Sequence, residues 1–412
     1  MAASETPDIV VVGGGIGGGA FATVMARAGY SVLMLEITTE HRDVVRGEWL
    51  SPWGVIEAQR LGLYDLYRAH GGHHLKRHIT YDEDVPHAEA EARTLEFAAM
   101  MPGTEGPLTL GHPKTCGLLD DAAVKAGARF LRGVRKTQVT PGARPTIRFE
   151  HEGVAHEIKP RLIVAADGRH GKTAQQAGIK MDAAPAHHWF SGMLVDGVGG
   201  WPADLQTIGT AGDVNFFVFP QNDGKARLYL GTSLANKDRF MGEDAPARFA
   251  KSFALDCLPN GEAIANARPA SHCFVYANND TWADEPFAPG VVAIGDAAGH
   301  NDPTIGQGLS IAHRDVRVVS DLLKATGDWS PAALAPYAAE RKERMRRLRL
   351  AARFAAVRDC EFDDHARARR GALHAKMMTD PMVTGLALAP IIGPENVPAE
   401  VFDERAVEAV LV

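Results

Sequence analysis

Cysteine is scarce: four in 412 residues (Cys116, Cys257, Cys273 and Cys360), far apart and with no C-x-x-C pair among them. No disulfide frame is implied, and with no secretory leader ahead of the first apolar run the chain fits a reducing cytoplasm. Long apolar runs are missing too. Gly, Pro or charge interrupts each of them well before the ~20 residues a membrane-crossing helix needs, so no transmembrane segment is expected. Nor is there an excess of positive charge: 44 Lys and Arg stand against 51 Asp and Glu, a formal net charge of -7. A nucleic-acid or anionic-membrane surface would ask for concentrated Lys and Arg, so neither partner is expected. What is left is small-molecule chemistry. A chain of 412 residues, 45% of them hydrophobic, is long enough for two or three domains with real cores.

The first informative stretch is DIVVVGGGIGGGAFATVMARAGYSVLMLE, residues 8–36, which runs strand, glycine turn, helix, strand. Gly13, Gly15 and Gly18 form G-x-G-x-x-G, with Ile16 and Gly17 inside it. The first glycine permits a tight turn, the second lets a pyrophosphate approach the backbone, and the third lets helix and strand pack closely. The helix N-terminus then faces the phosphates. Glu36 ends the second strand, where a carboxylate can accept hydrogen bonds from a ribose 2′-hydroxyl, which favours an unphosphorylated adenosine ribose. The alternative is a purely steric turn in an α/β sheet.

Three later stretches separate FAD from NAD. VRGEWLSPWGVIEAQRLGLYDLY (45–67) follows the first βαβ unit, RLIVAADGRHGKTAQQAGI (161–179) ends a strand in Asp-Gly, and VVAIGDAAGHNDPTIGQGLS (291–310) ends one in Gly-Asp. In this order they resemble the class A FAD-dependent monooxygenases, the para-hydroxybenzoate-hydroxylase-like flavoprotein superfamily, from about residue 8 to 360. The resemblance implies an α/β fold: a Rossmann-like FAD-binding domain with a mixed βαβ sheet (1–77, 100–180 and 284–360), an inserted antiparallel-sheet substrate domain (78–99 and 181–283), and a C-terminal helical segment (361–412).

Carried over by position, Asp296 after Gly295 is the acid that holds the ribityl hydroxyls of FAD, and Asp167 belongs to the central cofactor motif. Pro303, Gly306 and Gly308 fall on P-x-x-G-x-G, with Gln307 and Leu309 interleaved. There the backbone passes the flavin ring, and a helix expected from near Ile305 points its N-terminus at the pyrimidine edge, where its dipole favours an anionic reduced ring. The other reading of Asp296 is an N-cap for that helix. Arg46 matches an arginine lying along the cofactor, or is an ordinary surface arginine. Lys114 stands near an arginine that contacts the FAD phosphates or ribityl chain. Trp49 either packs on the flavin or fills the interface between domains.

The chain also departs from the family pattern. After Asp167 and Gly168, Gly171 and Ala174 replace the Ser and Arg of D-G-x-x-S-x-x-R, which bears on direct reduction by NAD(P)H. Gly299 replaces the usual histidine after G-D-A-A, and His300 follows one place later, either facing substrate or capping its loop.

Between the Asp-Gly and Gly-Asp motifs, HHWFSGMLVDG, LQTIGT, VNFFVFPQ and ARLYLGTS are short β-branched or aromatic runs separated by turn residues, as in an antiparallel sheet. Alternation puts Phe217 and Phe219 on one face and Phe216 on the other, the first two lining a pocket or packing in a core. The histidines His70, His73, His74 and His78 lack carboxylate or cysteine partners at ligand spacing, so no metal site is expected. ERKERMRRLRLAARFAAVRD reads as a solvated helix with a core stripe of Met345, Leu348, Ala352 and Ala355.

The activity implied is insertion of one oxygen atom from dioxygen into an aromatic or other electron-rich small molecule through a flavin hydroperoxide, with NADPH or NADH as co-substrate. His300 is the one catalytic candidate, as a base for a phenol. Two alternatives stand beside it: an FAD-dependent dehydrogenase or halogenase of the same superfamily, although the halogenase motif W-x-W-x-I-P is absent, or a non-catalytic flavin-binding module. The expected assembly is a monomer or homodimer.

Overall fold

A computed structural model describes residues 6–45 and 47–411. Ile9–Val12 and Leu162–Ala165 contain no polar residue and are buried throughout. Strands covered on both faces read this way: helices including Ile16–Arg27 and Gly308–Ala325 pack on one face, and a three-stranded sheet of Arg135–Thr140, Thr146–His151 and Val154–Ile158 on the other. They are the middle of a six-stranded sheet whose order is Phe287–Ala288, Val291–Ala293, Leu162–Ala165, Ile9–Val12, Val32–Glu36, Arg129–Arg132. All pairings are parallel except the edge hairpin between the first two strands. The register sets Val12 beside Ala165 and Ala165 beside Ala293. Three strands far apart in sequence therefore end together, and the segments that follow them, starting at Gly13, Ala166 and Ile294, emerge side by side at the carboxyl edge where α/β sheets bind ligands.

The second sheet has eight strands. His188–Asp196, Lys225–Ser233, Val214–Pro220 and Leu205–Ala211 pair antiparallel in that order. One pairing departs from a purely antiparallel sheet: Arg77–Thr80 runs parallel to Leu205–Ala211. Arg77–Thr80 precedes its neighbour by more than a hundred residues, so no hairpin dictates its direction. The register sets Tyr276 opposite Phe190, Tyr229 opposite Phe217, Phe217 opposite Ile208, Ile208 opposite Thr80, and Gln206 opposite His78. Phe216 turns to the other face and packs with Leu228, Phe249 and Phe253 in a separate core.

Pro331–Asp359 is one helix of 29 residues, followed by Asp364–Lys376, Pro381–Ile392 and Glu404–Leu411. Its stripe of Met345, Leu348, Ala352 and Ala355 is buried as expected. The expectation of a solvated basic face is corrected: Arg341 and Arg344 are 1% and 4% exposed. Asp315 from the neighbouring helix Gly308–Ala325 pairs with both, and Glu340 gives Arg344 a second carboxylate. Among the described residues no helix is long and apolar enough to cross a membrane and no cluster of potential metal ligands occurs.

Candidate functional site

A single cavity of about 1700 Å³ runs from the carboxyl edge of the first sheet to the ring-bearing face of the second. A pocket for one drug-sized ligand occupies ~300–1,000 Å³, so there is room here for more than one molecule.

At the nucleotide end, two glycines of the first motif are sterically required. An ideal Cβ at Gly13 (φ +107) would lie 2.3 Å from the Ala166 carbonyl oxygen, and one at Gly18 would lie 1.9 Å from that of Gly13. Gly15 differs, since a Cβ there would meet nothing within 4 Å. It caps the helix Ile16–Arg27 without a side-chain hydrogen bond, so the space over the start of a 12-residue helix is open. Glu36 is engaged with its own surroundings: Oε2 accepts from the Gly14 amide at 2.7 Å, and Oε1 from the amide and hydroxyl of Thr38 at 2.8 and 2.7 Å. Arg42, Arg135, Lys136, Arg169 and Lys172 also line this end, a set of cations that no spacing in the sequence announces.

The departure at residue 171 has a local cause. A Cβ on Gly171 would lie 2.1 Å from Asp167 Cγ, so no side chain fits while Asp167 keeps its position. Asp167 Oδ2 accepts from the amide and hydroxyl of Thr173 at 3.0 and 2.7 Å, and Thr173 thereby supplies a polar anchor within the motif. The other oxygen, Asp167 Oδ1, is buried without a partner, as is Arg169 Nε.

Asp296 lies half-buried on a 3₁₀ turn, Gly295–Ala298, and faces the cavity. It caps no helix. A second 3₁₀ turn, Pro303–Ile305, is capped by Asp302, whose carboxylate accepts from the Thr304 amide, and the helix begins at Gly308 instead of near Ile305. Gly306 (φ +65) ends that turn, and a Cβ on it would come within 3.0 Å of the Trp49 ring. Gln307 ties the loop down: its Oε1 accepts from Trp53 Nε1 at 2.8 Å and its Nε2 donates to the Pro390 carbonyl at 3.0 Å. Behind the Gly295 turn, Arg341 donates to the carbonyls of Ala298, Gly295 and Gly299 at 2.9, 3.2 and 2.8 Å. This brace went unseen in the sequence, where Arg341 is one of many cations in a basic run.

The remaining candidates are placed as follows. Gly13, Gly15, Ile16, Gly17, Glu36, Trp49, Asp167, Phe217, Phe219, Gly295, Asp296, His300, Pro303, Gly306, Gln307, Gly308 and Leu309 all line the cavity. Lys114 does not. Its ammonium lies near the Gly71 turn, where a Cβ would be 3.4 Å from Nζ. The cavity is reached by His112 instead, because two residues along a helix turn a side chain by about 200°. Arg46 lies outside the described residues. His300 is held by the earlier segment around the strand Thr281–Trp282: Nδ1 sits 2.8 Å from Thr281 Oγ1, and Nε2 is 3.5 Å from Asn279 Oδ1.

Trp49 donates from Nε1 to Gln206 Oε1 at 2.8 Å and stacks on Phe219 with ring centroids 6.2 Å apart. Beside it, Glu48 makes a buried ion pair with Arg227, which ties this segment to the second sheet. Burial outweighs that pairing and holds the Glu48 carboxyl above its ordinary range. The wall opposite the loop is a cluster of rings: Phe190 stacks on Tyr229 at 5.2 Å and meets Phe217 edge-on at 5.1 Å, with Tyr276 at 6.0 Å from Phe190.

These groups fit FAD. The open Gly15 helix start and the surrounding cations suit a pyrophosphate, while the buried Asp167 oxygen and the Asp296 carboxylate suit hydroxyl or ring N–H groups. A family model described as FAD binding domain matches residues 6–352. The chain is 28% identical over 324 residues to digeranylgeranylglycerophospholipid reductase 1 of Methanococcoides burtonii, covering 74% of this chain and 71% of that one. It is 24% identical over 364 residues to 3-demethoxyubiquinol 3-hydroxylase of Escherichia coli K12, covering 84% and 86%. Among solved structures, p-nitrophenol 4-monooxygenase PnpA of Pseudomonas putida DLL-E4 shares the fold with a TM-score of 0.79 at 18% identity, over 93% of this chain and 96% of that one.

Proposed function

The chain belongs to the FAD binding domain family and is a class A monooxygenase-like flavoprotein, and from that premise we propose that it inserts one oxygen atom of dioxygen into an aromatic small molecule, with NAD(P)H as reductant. The observation that carries this reading is continuity: the Gly-Asp and P-x-x-G-x-G segments and the wall of Phe190, Phe217, Phe219, Tyr229 and Tyr276 belong to one cavity. Bound FAD supplies the electron transfer and oxygen activation that no side chain here can supply.

The protein's part is to hold and to exclude. The amides at the start of Ile16–Arg27, with Arg42, Lys136 and Arg169, would hold the pyrophosphate, Asp296 the ribityl hydroxyls, and the loop from Pro303 to Gly308 the ring. Edge and face contacts among the aromatic side chains orient a planar substrate and keep water from it. His78, on the same face, is neutral at pH 7 because burial pushes it down to about 4, and its ring is held between the Gln206 amino group and Thr80 Oγ1.

The test is anaerobic rapid mixing of the FAD-loaded protein with NADH or NADPH, followed by oxygen. Bleaching of the oxidised flavin, and then substrate-stimulated oxygen uptake with a hydroxylated product, supports the reading; reduction without incorporation of labelled oxygen overturns it. A second reading, an FAD-dependent reductase, is favoured by the identity to the Methanococcoides reductase. It predicts substrate reduction in the absence of oxygen.

A further inference from the structure

The loop from Pro303 to Gly308 is fastened in three places, and the fastenings differ in origin. Asp302 holds its start, accepting from the Thr304 amide at 2.9 Å and from the Asn278 amino group at 3.1 Å. Gln307 holds its end to Trp53 and to the Pro390 carbonyl. The middle is seated by packing: a Cβ on Gly306 would lie 3.0 and 3.3 Å from Cε3 and Cζ3 of Trp49, so the indole lies directly against the loop backbone.

Trp49 does not keep that place unaided. It sits on a two-residue strand, Trp49–Leu50, and its side chain is half-buried. The second sheet orients the ring. Stacking on Phe219, with 27° between the planes, fixes the plane of the indole but leaves it free to rotate within that plane. The hydrogen bond from Nε1 to Gln206 Oε1 at 2.8 Å removes that freedom. Gln206 is 3% exposed and lies on the strand Leu205–Ala211, 157 residues from Trp49. An indole N–H can only donate, so it selects the carboxamide oxygen, and the amino group faces His78 Nδ1 at 3.4 Å. The opposite orientation of the carboxamide would set donor against donor. Gln206 therefore has one orientation, and so does the indole.

We propose that Gln206 is a positioning residue for the flavin: through Trp49 it seats Gly306, and with it the start of the helix Gly308–Ala325. The inference rests on FAD occupying this loop and is independent of which substrate is oxidised. A helix N-terminus favours an anion, so a firmly seated helix start favours the reduced, anionic flavin over the oxidised one. Loss of Gln206 leaves the fastenings at Asp302 and Gln307 intact, so the fold and the loop survive and only the seating of Gly306 loosens. The ring-bearing sheet, whose other side chains face the substrate half of the cavity, thereby helps to set the reduction potential of the cofactor.

The experiment compares wild type, Gln206→Met, Trp49→Phe and the double variant, first as apoproteins and then loaded with FAD, with neither substrate nor oxygen present. In the apoproteins the readout is the Trp49 indole N–H resonance, identified by its loss in Trp49→Phe; Gln206→Met should move it upfield as the hydrogen bond is lost. The loaded proteins are then equilibrated with a redox dye. Gln206→Met should weaken the reduced flavin about tenfold more than the oxidised one, a fall in potential of about 30 mV for two electrons. Trp49→Phe should do the same, and the double variant should fall no further than either single one, because Gln206 acts through Trp49. An unmoved indole resonance, a potential unchanged in Gln206→Met, or falls that add in the double variant overturn the proposal. Failure of the oxygenase reading shows in turnover with oxygen and leaves these potentials as they are.

Discussion

Arg341 and Asp315 form a buried ion pair, Nε to Oδ2 at 3.0 Å, directly behind the turn that carries Asp296. Asp315 Oδ2 also accepts the Gly295 amide at 2.8 Å, and Arg341 takes up the carbonyls of that turn. The pair converts an irregular segment with buried backbone groups into a rigid one. Arg341→Met leaves Asp315 with a weakened charge balance and takes a donor from three carbonyls, of which Ala298 keeps the Ala283 amide at 3.1 Å, and the expected cost is about 3–5 kcal/mol. Urea denaturation should show that loss, and a flavin-fluorescence titration should show weakened FAD binding. Arg341→Lys should recover little, since one ammonium cannot reproduce the fork.

Gly15 and Gly171 should respond oppositely to alanine. A methyl group at Gly15 meets no protein atom within 4 Å, so Gly15→Ala should leave the melting temperature of the apoprotein unchanged while weakening FAD by at least about tenfold, or 1.4 kcal/mol. At Gly171 the same methyl group collides with Asp167, and Gly171→Ala should destabilise the apoprotein itself by about 1–3 kcal/mol.

Asp296→Ala isolates the cofactor. Its carboxylate lines the cavity and receives no hydrogen bond from the described residues. The variant should fold and melt as the wild-type apoprotein does, yet elute from gel filtration without flavin under conditions where wild type retains it. Retention of the yellow colour would remove Asp296 from the site.

His188 should make stability depend on pH. It is fully buried, and Nε2 lies 2.7 Å from Thr304 Oγ1 and 2.8 Å from the donor Asn278 Nδ2, so protonation turns the Asn278 contact into donor against donor. Burial pushes it down to about 4. An unfolded histidine takes its proton near 6.5, so this contribution of about 3 kcal/mol is complete above pH 6.5, is lost as pH falls to about 4, and is constant below. Asp280, pushed up to about 6 by burial, titrates in the opposite sense. The informative measurement is therefore the difference between wild type and His188→Asn, which should narrow from pH 6.5 to 4.

The motifs that surfaced in the sequence are those whose chemistry is local. Gly13 and Gly18 are required by atoms of their own turn or the adjoining strand end, and Asp296 follows its strand by only a few residues. Phe217 and Phe219 were separable from Phe216 because strand alternation needs no partner to be read. Lys114 was misjudged because charge was matched without helix phase, which turns His112 to the cavity in its place.

What the sequence determined by itself was the set of backbone turns and strand ends, since the positive φ of Gly13, the contact of Gly18 with Gly13 and strand alternation act within a few residues. Tertiary structure alone decided which charges are buried and what they brace. Arg341 and Arg344 read as solvent-facing until the helix Gly308–Ala325 brings Asp315 against them. Arg358 stands 280 residues from His78, and only the docking of the C-terminal helices on the second sheet makes them neighbours. A buried charge is defined by its partner and its loss of water, and both depend on packing between segments that no spacing along the chain records.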